Sequence, residues 1–212
     1  MKHLIKTSLL LLSILLPMSA MAYDFIVDGV YYQTDLWGDY AMVCDQGEDG
    51  GLYSGDVTIP ESVTNDGTTY PVTRINAYAF NKCTGLTSVN IPSTVNEIGD
   101  HSFEGCSALS AITIPDAVTA IGSCAFKDCS SITQVTIPAN VTEIHIWAFE
   151  NCTGLTDVYC HIADPSSIDF NSLAFSLESE DYANRTLHVP AGSINAYKDA
   201  GWNDYFGSIV EM

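Results

Sequence analysis

The residues able to do chemistry are few, and their spacing is poor for it. Outside the first 22 positions the histidines are His101, His145, His161 and His188. None sits in a His-Glu-x-x-His pattern, and neither a Gly-x-Ser-x-Gly elbow nor a phosphate-cradling glycine loop occurs, so the chain shows no catalytic or cofactor signature. Cys160 and His161 are adjacent, the pairing a thiol nucleophile would want. On a strand, however, neighbouring side chains point to opposite faces. His101 and His145 read as surface or turn residues. One acidic run, Asp45-x-Gly47-x-Asp49-Gly50 with Glu48 and Asp56, resembles a calcium loop but departs from the EF-hand pattern at its third (Gly47) and twelfth (Asp56) positions. No flanking helices are predicted, so it reads first as an acidic turn. No metal site, no cofactor and no enzyme activity are expected.

What the chain does have is a period. Ile75, Ile98, Ile121 and Ile144 recur every 23 residues, as do Phe80, Phe103, Phe126 and Phe149, and Cys83, Cys106, Cys129 and Cys152. Leu86, Leu109, Ile132 and Leu155 follow, then Val89, Ile112, Val135 and Val158. Ile-Pro pairs close three units, at Ile91-Pro92, Ile114-Pro115 and Ile137-Pro138. A period of this length marks a solenoid, in which each turn buries its apolar face only against its neighbours. Within a unit, Val89 and Ile91 face inward and Asn90 outward, a short strand that Pro92 ends because it has no N–H to give. The return path of about a dozen residues, rich in small polar types, predicts turns or a short 3₁₀ segment rather than an α-helix.

This frame decides how the cysteines are read. Seven in one chain would ordinarily suggest a disulfide framework. Four of them hold one repeat position, so they stack about 4.8 Å apart with parallel side-chain vectors, which is poor bridging geometry. They are expected to be reduced and buried. Cys44, Cys124 and Cys160 lie off this ladder, and the odd total leaves at least one thiol free or shared with another chain.

The ends read differently from the middle. Residues 1–22 have Lys2 and Lys6, an apolar run from Leu9 to Leu16, and Ala20-Met21-Ala22 as a small-x-small cleavage site, which predicts a secretory signal peptide with the mature chain starting at Tyr23. No Cys stands at that point to take a lipid, and no later segment is long enough to be a transmembrane helix. Two of the 7 Lys and Arg lie in this leader and none of the 26 Asp and Glu does, so its removal would deepen a formal charge of −19. So acidic a surface excludes nucleic acid as a partner. Asp28-Gly29 between Tyr23–Val27 and Val30–Thr34 predicts a β-hairpin, and Asn65-Asp66-Gly67 before Thr68–Val72 a second. Near the other end Leu173-Ala174-Phe175 repeats the Ala-Phe register, and Leu187–Pro190 forms a last strand. Ser193 should cap a helix carrying Ile194, Tyr197 and Ala200, stopped by Gly201. Trp202, Phe206 and Ile209 would cover the final rung.

The unit Ala-Phe-x-x-Cys-x-x-Leu-x-x-Val-x-Ile-Pro resembles the leucine-rich repeats of the BspA-like family of bacterial surface proteins, over Val57 to Pro190. The resemblance implies a right-handed solenoid with a parallel sheet on one side, in an exported or surface-located protein that works by binding others. Several members are described as adhesins toward host matrix proteins or other bacteria. The Val-Pro-Ala-Gly-x-x-x-x-Tyr ending at Val189–Tyr197 is also shared, so the chain is expected to be complete. The expected fold is thus a repeat solenoid of 23-residue leucine-rich units: a parallel β-sheet on one face, turns or 3₁₀ segments on the other, a hairpin cap and a helical cap. Its parts are a signal peptide (1–22), a capping hairpin region (23–52), the solenoid (53–190) and a C-terminal cap (191–212).

The outward strand positions make the expected binding face. One row is Thr58, Asn90, Thr113, Thr136, Tyr159 and His188; the next is Asp56, Ser88, Ala111, Gln134, Asp157 and Thr186; a third is Thr87, Ser110, Thr133 and Thr156. Most are small, neutral and suited to strands whatever they bind. Tyr159, Asp157 and His188 sharpen one end into a place that could grip a peptide or a sugar. The expected function is exported, adhesin-like binding of a protein or glycan, with host extracellular matrix among the candidates. The rivals are a structural envelope component, favoured by a Cys44 bridge between two chains, and a calcium-dependent acidic module. Periplasm, outer surface and release all fit the leader.

Overall fold

The computed structural model describes residues 23–45, 53–171, 173–179 and 182–212. The proposed leader and most of the acidic run, including Gly47, Glu48, Asp49 and Gly50, lie outside the described residues. The chain opens with β1 (Phe25–Val27), β2 (Val30–Thr34) and β3 (Ala41–Val43). Next come β4 (Ser54–Thr58), β5 (Ser62–Asn65), β6 (Thr68–Ile75) and β7 (Gly85–Asn90). The repeats continue through β8 (Glu97–Ile98), β9 (Ala111–Ile112), β10 (Ala120–Ile121), β11 (Gln134–Ile137), β12 (Glu143–Ile144), β13 (Asp157–Cys160) and β14 (Asp169–Phe170). The end is β15 (Thr186–Val189), helix α1 (Ile194–Asp199), a 3₁₀ turn at Trp202–Tyr205 and β16 (Ser208–Glu211).

These strands stack into two faces. On the broad face β4, β7 and β9 pair in parallel, and so do β11, β13, β15 and β16. Register follows the repeat: Val89 lies beside Ile112, and Val135 beside Val158, which lies beside Leu187. Among the described residues β9 and β11 fall in separate sheets, so the broad face is built in two halves. The return path does carry turns, and it also carries a second ladder that the sequence reading missed. There β6, β8, β10, β12 and β14 pair in parallel, with Ile75, Ile98, Ile121, Ile144 and Phe170 in one line. Strands of two residues cannot show an alternating pattern, which is why they were illegible.

Between the faces runs a stacked core. Phe80, Phe103, Phe126, Phe149 and Phe175 are all fully buried. Their rings lie within 11° of parallel, with centroids 4.9, 5.2, 5.1 and 4.9 Å apart. Each such pair contributes about 0.5–1.5 kcal/mol beyond the burial itself. The turn after each Ile-Pro is closed by a bond to the proline carbonyl, from Val95 to Pro92, Val118 to Pro115 and Val141 to Pro138, at 3.0 to 3.2 Å.

All seven cysteines are free and buried. The ladder thiols do more than fill space. Cys106, Cys129 and Cys152 donate to the carbonyls of Phe80, Phe103 and Phe126 in the rung before, at 3.0, 3.1 and 3.1 Å. Cys83 turns to its own Asn81 carbonyl. Cys44 is only 3% exposed, so it is not placed to bridge two chains.

At the first end β1 and β2 pair across Asp28 and Gly29, both in the left-handed region, as that dipeptide predicts. Asp66-Gly67 turns β5 into β6 in the same way. At the other end Gly201 stops α1 at φ 81°. Ser193 departs from expectation: its hydroxyl donates to the Pro190 carbonyl at 2.5 Å and makes no cap bond to the helix. Ile209 does not simply cover the last rung either. It lies in β16, which adds a further parallel strand beside β15. Trp202 and Tyr197 are fully buried beneath it. Arg185 is 2% exposed and donates to the carbonyls of Phe175 (2.7 Å), Cys152 (3.2 Å) and Leu155 (3.3 Å).

Candidate functional site

A flat row arises on the broad face because every second strand residue points out and each rung repeats the last. The structure aligns Asp56 with Ser88, Thr58 with Asn90, and Ser88 with Ala111 in one half. In the other it aligns Gln134, Asp157, Thr186 and Ser208, and beside them Thr136, Tyr159, His188 and Val210. Thr58, Asn90, Thr113, Thr136, Gln134, Asp56 and Ala111 are exposed, and Ser88, Asp157, Tyr159, Thr186 and His188 half-buried. Thr113 lies just beyond the two-residue β9, at the break between the halves. Ser208 and Val210 extend both rows by one rung. The alternation Ser208-Ile209-Val210 carried that signal in the sequence.

Two anchored carboxylates stand in this row, Asp56 at its start and Asp157 two rungs before its end. The Asp157 carboxylate meets His188 Nε2 at 2.8 Å and accepts from the Thr156 hydroxyl at 2.8 Å. His188 and then Thr156 hold it below the usual carboxylate range. The His188 ring in turn lies on that of Tyr159, with centroids 4.3 Å apart at 14°. At the start of the row Asp56 accepts from Ser88 (2.6 Å) and Thr87 (2.8 Å), which likewise lower its pKa. Between them run small hydroxyls and amides. Such a face offers fixed hydrogen-bond acceptors and one aromatic plate, with no general base aimed at a nucleophile.

The remaining candidates are accounted for by the same geometry. Cys160 points inward and is fully buried, held by the Tyr197 hydroxyl at 3.1 Å, whereas His161 is exposed. Burial raises the Cys160 pKa, which disfavours the nucleophilic thiolate. His101 faces Glu104 at 2.7 Å and His145 faces Glu143 at 3.1 Å. Of the acidic run, Asp56 is engaged as described. Among the described residues no helix is long and apolar enough to cross a membrane.

A family model of the BspA type leucine rich repeat region matches residues 56–179, in 6 copies. The chain belongs to the BspA-type leucine-rich repeat proteins. The solved structures agree with this BspA-type assignment. A leucine rich repeat protein of Treponema pallidum is 27% identical, with a TM-score of 0.63 over 80% of this chain and 72% of that one. A leucine-rich repeat protein of Bacteroides capillosus is 28% identical, with a TM-score of 0.55 over 64% of this chain and 96% of that one. A leucine rich cell surface protein of Faecalibacterium prausnitzii shares the fold at 23% identity and TM-score 0.51, over 88% of this chain and 50% of that one. A search of curated proteins gives no significant match. These neighbours are leucine-rich repeat proteins of bacteria, and this chain carries the same stacked strands.

Proposed function

We propose that this BspA-type protein is exported through its first 22 residues and binds a protein or glycan partner on its broad face, in the manner of an adhesin and without catalysis. One observation carries the reading: Tyr159, His188 and Asp157 form a single connected cluster, stacked ring on ring and bonded imidazole to carboxylate. A side chain held on both sides loses little freedom when a partner arrives, which favours binding. The flanking hydroxyls of Thr136, Thr156 and Thr186 supply adaptable contacts around a rigid plate. A fold shared with a protein described as a cell surface protein is consistent with an external location.

The test is binding of the purified mature chain, residues 23 to 212, to immobilised extracellular-matrix proteins and glycans, with and without calcium. Saturable binding that falls at least tenfold in Tyr159→Ala or His188→Ala supports the reading. Binding indifferent to both substitutions removes the cluster from it. Concentration-dependent self-association with no external ligand would point instead to the structural envelope role, and binding seen only with calcium to the acidic module.

A further inference from the structure

Each repeat passes through two left-handed turns. At the later one the chain uses Lys82, Gly105, Asp128 and Asn151, at φ 57°, 74°, 59° and 54°. Three of these are types that accept this region readily. At the earlier one it uses Tyr78, His101, Cys124 and Trp147, at φ 62°, 55°, 56° and 60°. Tyr78 and Trp147 in particular hold that conformation against a clash between Cβ and the following carbonyl, which glycine avoids. At Tyr78 and Trp147, where the side chain is turned outward, that strain points to the ring as the reason for keeping it, whereas Cys124 is buried.

Tyr78, His101 and Trp147 hold the same turn position on their rungs, with the buried Cys124 interrupting them. Tyr78 is 50% and Trp147 38% exposed. The rings of Tyr78 and His101 are 4.8 Å apart and 2° from parallel. Polar groups stand beside them: Glu104 pairs with His101 and accepts from Asn81 at 3.1 Å, while Lys127 pairs with Glu150 and lies 5.6 Å from the Trp147 ring centre.

Tyr78 and His101 directly follow Ala77 and Asp100, which line a groove of about 680 Å³ over the narrow ladder. Its floor includes Gly99 and Gly122, where a Cβ would stand 2.7 and 2.6 Å from the backbone of the preceding rung, so side chains cannot fill it. Its walls carry ion pairs, Arg74 with Glu97 and His145 with Glu143. From Arg74 to Glu143 the groove crosses four rungs, about 14 Å at the usual strand spacing. It is long enough for an extended chain. In a protein so acidic, Arg74, Lys82 and Lys127 lie along this side, whereas Arg185 is buried and Lys198 is on α1.

Aromatic plates suit the C–H faces of sugars, and carboxylate, guanidinium, amide and imidazole groups suit their hydroxyls. Asp100 also lines the groove, and His145 offsets Glu143 only when protonated, so the groove disfavours an anionic ligand. We propose that this groove, with Tyr78, His101 and Trp147 one or two residues beyond its lining residues Ala77, Asp100 and His145, binds a neutral glycan chain running along the solenoid axis. The site is separate from the broad face and stands or falls without it.

The test is calorimetric titration of the purified protein with neutral hexasaccharides of β-1,4-glucan, β-1,4-xylan, α-1,4-glucan and mannan, with hexagalacturonate and hexalysine as charged comparisons. Tyr78→Gly and Trp147→Gly remove the rings and relieve the backbone, so both variants should fold with unchanged or raised urea midpoints. Saturable binding of a neutral hexasaccharide, weakened at least tenfold in both variants and unchanged in Tyr159→Ala and His188→Ala, is the expected result. The proposal is overturned if no neutral hexasaccharide binds, or if binding survives both glycine variants. It is equally overturned if hexalysine is the ligand those variants lose. Loss in Tyr159→Ala or His188→Ala alone would assign glycan binding to the broad face and refute this site only.

Discussion

The thiol of Cys129 donates to the carbonyl of Phe103 across 3.1 Å, one rung of the solenoid to the next. Its counterparts at Cys106 and Cys152 do the same. Cysteine thus supplies both apolar volume and a weak vertical bond at one position. Cys129→Ala should lower stability by about 1–2 kcal/mol, from the lost bond and the space left behind. A urea titration at neutral pH reads this directly, and an unchanged midpoint would show the thiol bond to be idle.

Burial also sets how these thiols respond to pH. It pushes the Cys106, Cys152 and Cys44 pKa values from 9.0 up to about 12, and that of Cys83 up to about 11. Between pH 9 and those values the folded chain holds protons that the unfolded chain has released. Stability is therefore fully present below pH 9 and is lost as pH rises through 11 to 12. Urea midpoints at pH 7.5, 9 and 10.5 should decline in that order. A thiol reagent at pH 8 should label no cysteine in the folded protein and all seven in urea.

Arg185 makes a sharper prediction. Its guanidinium serves three carbonyls in a site that burial makes costly for a charge, lowering its pKa. Arg185→Met leaves those carbonyls without their donor and should cost about 3 kcal/mol or more. Arg185→Lys keeps the charge but lacks the planar fork, and should fall between wild type and Met. Equal stability of Lys and Arg would mean that charge alone matters here.

Gly154 is required for closeness. A Cβ there would stand 2.4 Å from the Ser130 carbonyl oxygen of the preceding rung. Gly154→Ala must push two rungs apart, and should destabilise the protein by about 2–3 kcal/mol. A thermal scan showing no loss would mean that the rungs separate freely.

Much of this architecture was legible in the residues. The Phe, Cys and Ile registers placed the core, and Asp28-Gly29 and Asp66-Gly67 placed the hairpins, because period and turn chemistry are local properties. The row through Tyr159 and His188 followed from the same period. What escaped was what depends on distance rather than pattern. Arg185 meets Cys152 from 33 residues away. The left-handed turns at Tyr78 and Trp147 were hidden because sequence reading looks for glycine there. The break between β9 and β11 left no mark in residues that repeat without interruption on either side.

The seven sheltered thiols make the finished protein indifferent to the redox state around it. Its newly made chain is not. Exported as proposed, it would enter an oxidising space with seven accessible cysteines and no native disulfide to guide them, so any cross-link formed early is an error. Stacking must outrun oxidation. Each rung that closes removes one more thiol from reach, and refolding yield should therefore rise with added reductant even though the product contains no bond for a reductant to break.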